Sequence, residues 1–305
     1  MSSAHRLVLG TAQAGLENYG ITNVTGRPTE EQFDRMLDHA WRGGVRWLDT
    51  AQSYGDAETR IGQVIGNRRL RICTKMAPFT LDNVPLDQVQ SVIRRSYEDS
   101  TARLGRQPDC FLLHSAKYAL NAAILYEMSV AMTFYHKVLW GVSVYETDEA
   151  HAALRAGVTA IQLPLGLFDL RMTQHGVLVE AERRGVEVFA RSPLARGLLC
   201  LDPTDVPTAH QTLRPRLREL RELSMRNGFA GDGPPGTPAW VYCAVSAALQ
   251  AGPHYVVLGA ETPEQVRDDV EIAHAPCQGA YVKMHNALGG FTDPIVPPSL
   301  WGSDT

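Results

Sequence analysis

Four side chains of this sequence are of types that can move a proton together: Asp49, Tyr54, Lys75 and His114. Asp49 ends the apolar run VRWLD (45–49), and Tyr54 stands five residues further on, in AQSYGDAE. Lys75 ends LRICTK (70–75), and His114 ends DCFLLH (109–114). A free phenol has a pKa of ~10 and is a poor proton donor near neutral pH. An adjacent ammonium stabilises the phenolate and lowers that value. A lysine buried at the end of such a run is costly without a carboxylate partner, and Asp49 is the nearest candidate. A histidine can orient or polarise a carbonyl oxygen. The quartet suits giving a proton to a developing alkoxide, as carbonyl reduction requires when hydride arrives at the carbon. It suits the reverse reaction equally. Taken singly, each residue has an ordinary explanation: a turn cap, a half-buried aromatic, a solvated rim lysine, a histidine bonded to a carbonyl. Taken together, they fall at the same end of three successive runs.

Those runs belong to a longer series. RLVLG (6–10), VRWLD, LRICTK, DCFLLH, VLWGVS (138–143), TAIQLP (159–164), VEVFA (186–190) and YVVLG (255–259) are short, β-branched or aromatic, and bounded by Gly, Pro or polar residues. They read as buried strands. Between them lie stretches with helical spacing. TEEQFDRMLDHAWRGG puts Phe33, Met36, Leu37, Ala40 and Trp41 on one face, opens with a threonine cap and closes on glycine. TPEQVRDDVEIA opens with a Thr-Pro cap and first-turn pair. Eight strands, each followed by a helix, predict an α/β fold with a parallel sheet, closed into a (β/α)8 TIM barrel. A doubly wound dinucleotide fold would want GxGxxG after the first strand, and LGTAQAG does not supply it. In such a barrel the C-terminal ends of all strands share one face, which carries the active site. The quartet therefore converges on one mouth.

The long gaps are expected to shape that mouth: residues 11–28 and 195–237 as irregular loops, and 274–305 as a C-terminal tail over the barrel mouth. No repeat, low-complexity tract or linker interrupts the chain, so 1–305 reads as one domain. With 29 basic and 33 acidic residues (net −4), no surplus of positive charge favours nucleic acid. The N-terminus lacks a secretory pattern, and no apolar run reaches the ~18 residues that span a bilayer, so a cytoplasmic protein with no membrane partner is expected. The five cysteines are scattered without a CxxC pair, which indicates neither a disulfide framework nor a metal site.

GVRWLDTAQSYGDAETRIG, RICTKMAP, DCFLLHS, GVSVY, IQLPLGLFD, FARSPLARGLL and VVLGAETPEQVRDDV, in this order, resemble the aldo-keto reductase family from strand one through helix eight. The opening LGTAQAGLENYGITNVTGRPTEEQ resembles a bacterial branch of it. The resemblance implies a nicotinamide cofactor, NADP(H) or NAD(H), bound extended without a Rossmann fold. Tyr54 matches the proton donor, Lys75 and Asp49 its tuning pair, and His114 the residue that orients substrate. Ser143 and Gln162 match positions that hold the nicotinamide carboxamide, with Thr11 near them. Ser192, Pro193 and Leu194 match the loop along the pyrophosphate. Gly259, Ala260, Glu261, Thr262, Gln265 and Asp269 match the segment around the adenosine.

The chain departs from the family pattern at three places. Val144 stands where many relatives have an asparagine, and Arg191 where many stack a tyrosine on the nicotinamide. Glu261 and Gln265 stand where relatives commonly offer a cation to the 2′-phosphate of NADP. A helix N-terminus at Thr262 attracts such a phosphate and a carboxylate repels it, so weak discrimination between the two dinucleotides is expected. Asn18, Tyr19, Asn23, Arg171, Arg191 and Trp301 suggest a polar pocket with aromatic walls, suited to a small carbonyl or sugar-like substrate; Asn18, Tyr19 and Trp301 are the named candidates. A nucleotide-binding regulatory or assembly subunit, and a cofactor-independent barrel isomerase or lyase, remain the other readings of the same residues.

Overall fold

The computed structural model of the chain describes residues 3–23, 26–167, 169–226, 233–234 and 237–287. Eight strands pair in parallel and in sequence order to close a barrel. They are β1 Leu7–Gly10, β2 Trp47–Asp49, β3 Arg71–Met76, β4 Cys110–Leu113, β5 Leu139–Ser143, β6 Ala160–Pro164, β7 Glu187–Arg191 and β8 Tyr255–Gly259. Each expected run coincides with one of them, β3 and β7 extending one residue past theirs. Helices follow the strands and cover the outside. The helix Glu30–Arg42 shows how locally the chain is specified. Thr29 accepts from the Gln32 backbone N–H while the Gln32 side chain accepts from the Thr29 N–H, and Phe33, Met36, Leu37 and Ala40 are buried.

The barrel interior is a packed apolar layer of Val8, Trp47, Cys73, Cys110, Leu112, Ala160, Phe189 and Val257. Trp47 meets Phe189 edge-on, with ring centroids 5.2 Å apart. Side chains on a strand alternate faces, so residues two positions further on also point inward. Two after Trp47, Cys73, Leu112, Ala160 and Phe189 come Asp49, Lys75, His114, Gln162 and Arg191. The strand period thus places five polar residues above the apolar layer, toward the C-terminal face.

One expectation needs correction. Residues 195–237 are not simply an irregular loop: they contain 3-10 turns and a helix, Arg214–Arg226. Its Leu217 packs with Leu213 and Val206, and with Cys243, Ala244 and Ala247 of the helix Ala239–Gln250. Leu213 and Leu217 at i, i+4 carried that signal, obscured by the dense arginines around them. The expected C-terminal tail begins with a helix, Ala280–Ala287, whose Ala280 joins the same cluster. The rest of the tail, with Phe291 and Trp301, lies outside the described residues. No described helix is long and apolar enough to cross a membrane.

Two glycines seat the Tyr54 turn. A Cβ on Gly15 would lie 1.8 Å from the Tyr54 carbonyl oxygen, and one on Gly55 would lie 2.3 Å from the Gly15 carbonyl oxygen. Gly55 also has φ +54, which other residues adopt only with strain. We expect Gly15→Ala to force these backbones apart and to cost ~1–3 kcal/mol, the scale of overpacking. The measure is a lower urea midpoint at an unchanged slope; a midpoint equal to wild type would show that the turn relaxes freely.

Candidate active site

Lys75 is fully buried, and its ammonium donates to three oxygens: Asp49 Oδ1 and Oδ2, and the Thr50 carbonyl, each at 2.8 Å. Asp49 Oδ1 also accepts from Gln162 Nε2 at 2.7 Å. The Asp49 carbonyl accepts from both the backbone N–H and the hydroxyl of Thr11, each at 2.9 Å. Asp49, through its carboxylate to β3 and β6 and its carbonyl to Thr11 at the end of β1, ties four strands together. A buried pair is tolerated when its donors and acceptors are saturated in this way.

Tyr54 lies over the pair, with Lys75 Nζ 5.3 Å from its ring centroid. The Tyr19 ring is 5.9 Å away on one side, and the His114 ring is 5.9 Å away, nearly perpendicular, on another. The phenol is held well above its ordinary pKa, first by burial, then by Tyr19 and Asp49, with Arg191 opposing. The net direction is opposite to the lowering expected from the neighbouring ammonium, because burial outweighs it. The lysine's protons are directed at Asp49 and Thr50, and the carboxylate balances its charge. Burial likewise pushes the His114 imidazolium down to about 3, aided by Lys75 and Arg191. The ring is therefore neutral at physiological pH, with Nδ1 3.2 Å from Ser53 Oγ.

Side chains absent from the sequence reading fix this loop. Gln52 donates to the Ser96 carbonyl at 2.7 Å and accepts from the Ala77 N–H at 2.9 Å. Glu58, buried, accepts from Thr74 Oγ1 and Arg103 Nε, each at 2.6 Å. The spacing of Glu58 from Tyr54, four residues into the following helix, was the available signal.

A cavity of about 390 Å³ opens from Tyr54 and His114. Of the expected residues, Thr11, Tyr19, Asp49, Ser143, Gln162, Arg191, Ser192, Pro193, Leu194, Gly259, Glu261, Gln265 and Asp269 line it. Lys75 sits behind the wall. Ala260 is buried, and Thr262 caps the helix Pro263–His274; neither lines the cavity. Asn18 is exposed and off the wall, Asn23 accepts from the Gly26 N–H, and Trp301 is outside the described residues. Arg171 is also off the wall: it is buried and bonded to Asp169, Glu146 and the Tyr145 carbonyl. The structure adds Gln13, Thr22, Tyr145, Arg196 and Asp268 to the wall. Arg191 lies on the Tyr145 ring, 4.2 Å from its centroid, and donates to the Val144 carbonyl. Asp269 is pushed up to about 8 by burial and by Asp268. Among the described residues, no cluster of histidine, cysteine and acidic side chains forms a metal site.

The model of the Aldo/keto reductase family matches residues 6–284. The chain belongs to that family. An oxidoreductase of Bacillus subtilis, YqkF, is 23% identical to this aldo/keto reductase over 278 residues, spanning 88% of this chain and 90% of its own. The fold is shared with a glycerol dehydrogenase from Gluconobacter oxydans (TM-score 0.68, 22% identity, 96% of this chain and 94% of the other). It is also shared with an aldo/keto reductase from Klebsiella pneumoniae solved in complex with NADP and acetate (TM-score 0.64, 20% identity, 93% and 91%).

The saturated pair makes a thermodynamic prediction. Lys75→Met leaves the Asp49 charge buried beside one amide, which typically costs 3–5 kcal/mol. The double variant Lys75→Met/Asp49→Asn removes that charge, and the new amide still accepts from Gln162. Denaturant unfolding should show the double variant more stable than the single one. A single variant at least as stable as the double one would mean that the pair is not charge-balanced as described.

Proposed function

We propose that this aldo/keto reductase is an NAD(P)(H)-dependent oxidoreductase that reduces an aldehyde, ketone or sugar-like carbonyl to an alcohol, or runs the reverse, with Tyr54 as proton donor. The observation that carries the reading is a neutral phenol and a neutral imidazole, side by side at the mouth of one cavity, above a buried Lys–Asp pair. The relatives support it: one is named an oxidoreductase, one a glycerol dehydrogenase, and one is solved with NADP.

The wall fits an extended dinucleotide. It passes Ser143 and Gln162, follows Ser192, Pro193 and Leu194, and reaches Glu261. The nitrogen of Gln162 is engaged by Asp49, so its oxygen is the atom left to accept from a carboxamide. Gln13 Oε1, on the same wall, is buried with no hydrogen-bond partner and can accept from a ligand donor. Gly259 keeps the floor low beside it: a Cβ there would lie 2.5 Å from the Gln13 amide nitrogen. The bound nicotinamide supplies or takes the hydride.

The chain's own residues handle the proton. Burial keeps it on Tyr54 until the substrate oxygen gains charge, and the phenol then donates it. The phenolate left behind sits over the Lys75 ammonium, which stabilises it more than it stabilises the neutral ring. In the tautomer in which the Ser53 hydroxyl donates to Nδ1, the His114 proton is on Nε2 and can bond the substrate oxygen. Because the imidazole stays neutral, it orients the carbonyl without competing as the acid.

Tyr54→Phe removes only the phenolic oxygen. Turnover should fall ~10²-fold or more, the usual scale for a general acid, with the dissociation constant for reduced cofactor nearly unchanged. Absorbance at the nicotinamide band with a panel of aldehydes, under conditions where chemistry limits the rate, measures the first; cofactor fluorescence measures the second. Near-wild-type turnover in the phenylalanine variant would remove Tyr54 from the role.

A further inference from the structure

We infer that this enzyme selects NAD(H) over NADP(H), and that Glu261 is the residue that decides it. The inference rests on the reading above, in which a dinucleotide lies along the cavity with its nicotinamide at Tyr54. The adenosine then falls at the opposite end, among Glu261, Gln265, Asp268, Asp269 and Ile272.

Charge is divided along the cavity. Among the described wall residues, the arginines and lysines are Arg191 and Arg196. Arg191 stacks on Tyr145 and acts electrostatically on both Tyr54 and His114. Arg196 lies on the Tyr19 ring, 4.8 Å from its centroid, and that ring neighbours Tyr54. Both cations therefore stand toward the catalytic half. The far half presents the carboxylates of Glu261 and Asp268, with Asp269 beside them kept largely protonated at neutral pH by its burial. Arg267, on the same helix, is directed at Asp268 and Glu271. A 2′-phosphate placed here meets carboxyl groups and no described wall cation.

The helix N-terminus does not offset this. A helix attracts phosphate through N–H groups that lack intrahelical partners. In the helix Pro263–His274, Pro263 has no N–H. The Gln265 N–H is taken by Thr262 Oγ1 at 3.2 Å, the Glu261 N–H by Gln265 Oε1 at 2.6 Å, and the Val266 N–H by the Thr262 carbonyl at 3.3 Å. At these positions the chain's own oxygens or the proline ring occupy the donors that a 2′-phosphate would use. The balance expected from sequence, in which the helix end and the carboxylate nearly cancel, therefore tilts to the carboxylate.

Glu261 is also held in place for a different ligand group. Its Oε1 accepts from Thr22 Oγ1 at 3.0 Å, a contact from the first loop to the eighth. Ile21 N–H, beside it, bonds the Arg196 carbonyl at 2.9 Å, so the first loop also joins the seventh. The second carboxylate oxygen of Glu261 remains to accept. A ribose with free 2′ and 3′ hydroxyls offers donors to it; a ribose carrying a 2′-phosphate offers a dianion in their place.

Equilibrium titration of the full chain with NADH and with NADPH, read by cofactor fluorescence, tests this. NADH should bind at least tenfold more tightly. Glu261→Arg should raise NADPH affinity at least tenfold, and Thr22→Val, which keeps the charge and removes the clasp, should keep the NADH preference. In competition, 5′-AMP should displace NADH better than adenosine 2′,5′-bisphosphate does, placing the discrimination at the 2′ position. NADPH binding as tightly as NADH, or more tightly, overturns the inference and leaves the dinucleotide reading standing. An NADH preference that Glu261→Arg does not change overturns the assignment to Glu261. Binding of neither dinucleotide overturns the dinucleotide reading itself, and the inference with it.

Discussion

A buried ammonium with three oxygens around it is the constraint on which the rest of the site depends. Lys75 cannot reach water, so Asp49 and the Thr50 carbonyl must stand where its protons point. That requirement fixes the ends of β2 and β3 relative to each other. Through Gln162 it reaches across to β6, and through Thr11 back to β1. The apolar layer of Trp47, Cys73, Leu112, Ala160 and Phe189 beneath it excludes solvent and makes the pairing obligatory. Tyr54 is then set above a fixed charge by the Gly15–Gly55 contact, with Gln52 and Glu58 anchoring the turn from behind.

The consequence is a site in which the groups facing substrate are neutral and the charges lie one layer below or to the side. A neutral phenol and a neutral imidazole present protons to an oxygen without presenting net charge to the carbonyl. In the proposed reaction, charge is needed only when the phenol gives up its proton, and Lys75 is already in position. No reorganisation of solvent is then required, which is the physical advantage of a preorganised polar site. Arg191 adds a second positive group at the same mouth, held by Tyr145 and the Val144 carbonyl.

The strands were legible because each is a short apolar run bounded by Gly, Pro or polar residues. Their alternation with amphipathic stretches led to the closed barrel that the structure contains. Asp49, Lys75 and His114 were legible because each closes such a run, where a polar group is anomalous; Gln162 was legible only through the family resemblance. What stayed hidden depends on contacts between distant segments. The raised pKa of Tyr54 stayed hidden because sequence does not show how deeply the phenol is buried. Arg171 looked available for substrate because its carboxylate partners, Asp169 and Glu146, come from two different loops. The helix Arg214–Arg226 was missed because its arginines and glutamates dominate the composition. Gly15 looked like one more loop glycine until the Tyr54 backbone was found against it.

The account as a whole claims hydride transfer to a carbonyl carbon at this mouth. Its most direct test is to supply reduced cofactor carrying deuterium at the transferable nicotinamide position, add an aldehyde that the protein turns over, and examine the alcohol by mass spectrometry. The account predicts one deuterium, on the carbinol carbon, with the hydroxyl proton drawn from solvent through Tyr54. Alcohol formed without deuterium from either prochiral label, or conversion that proceeds with no dinucleotide at all, would contradict it.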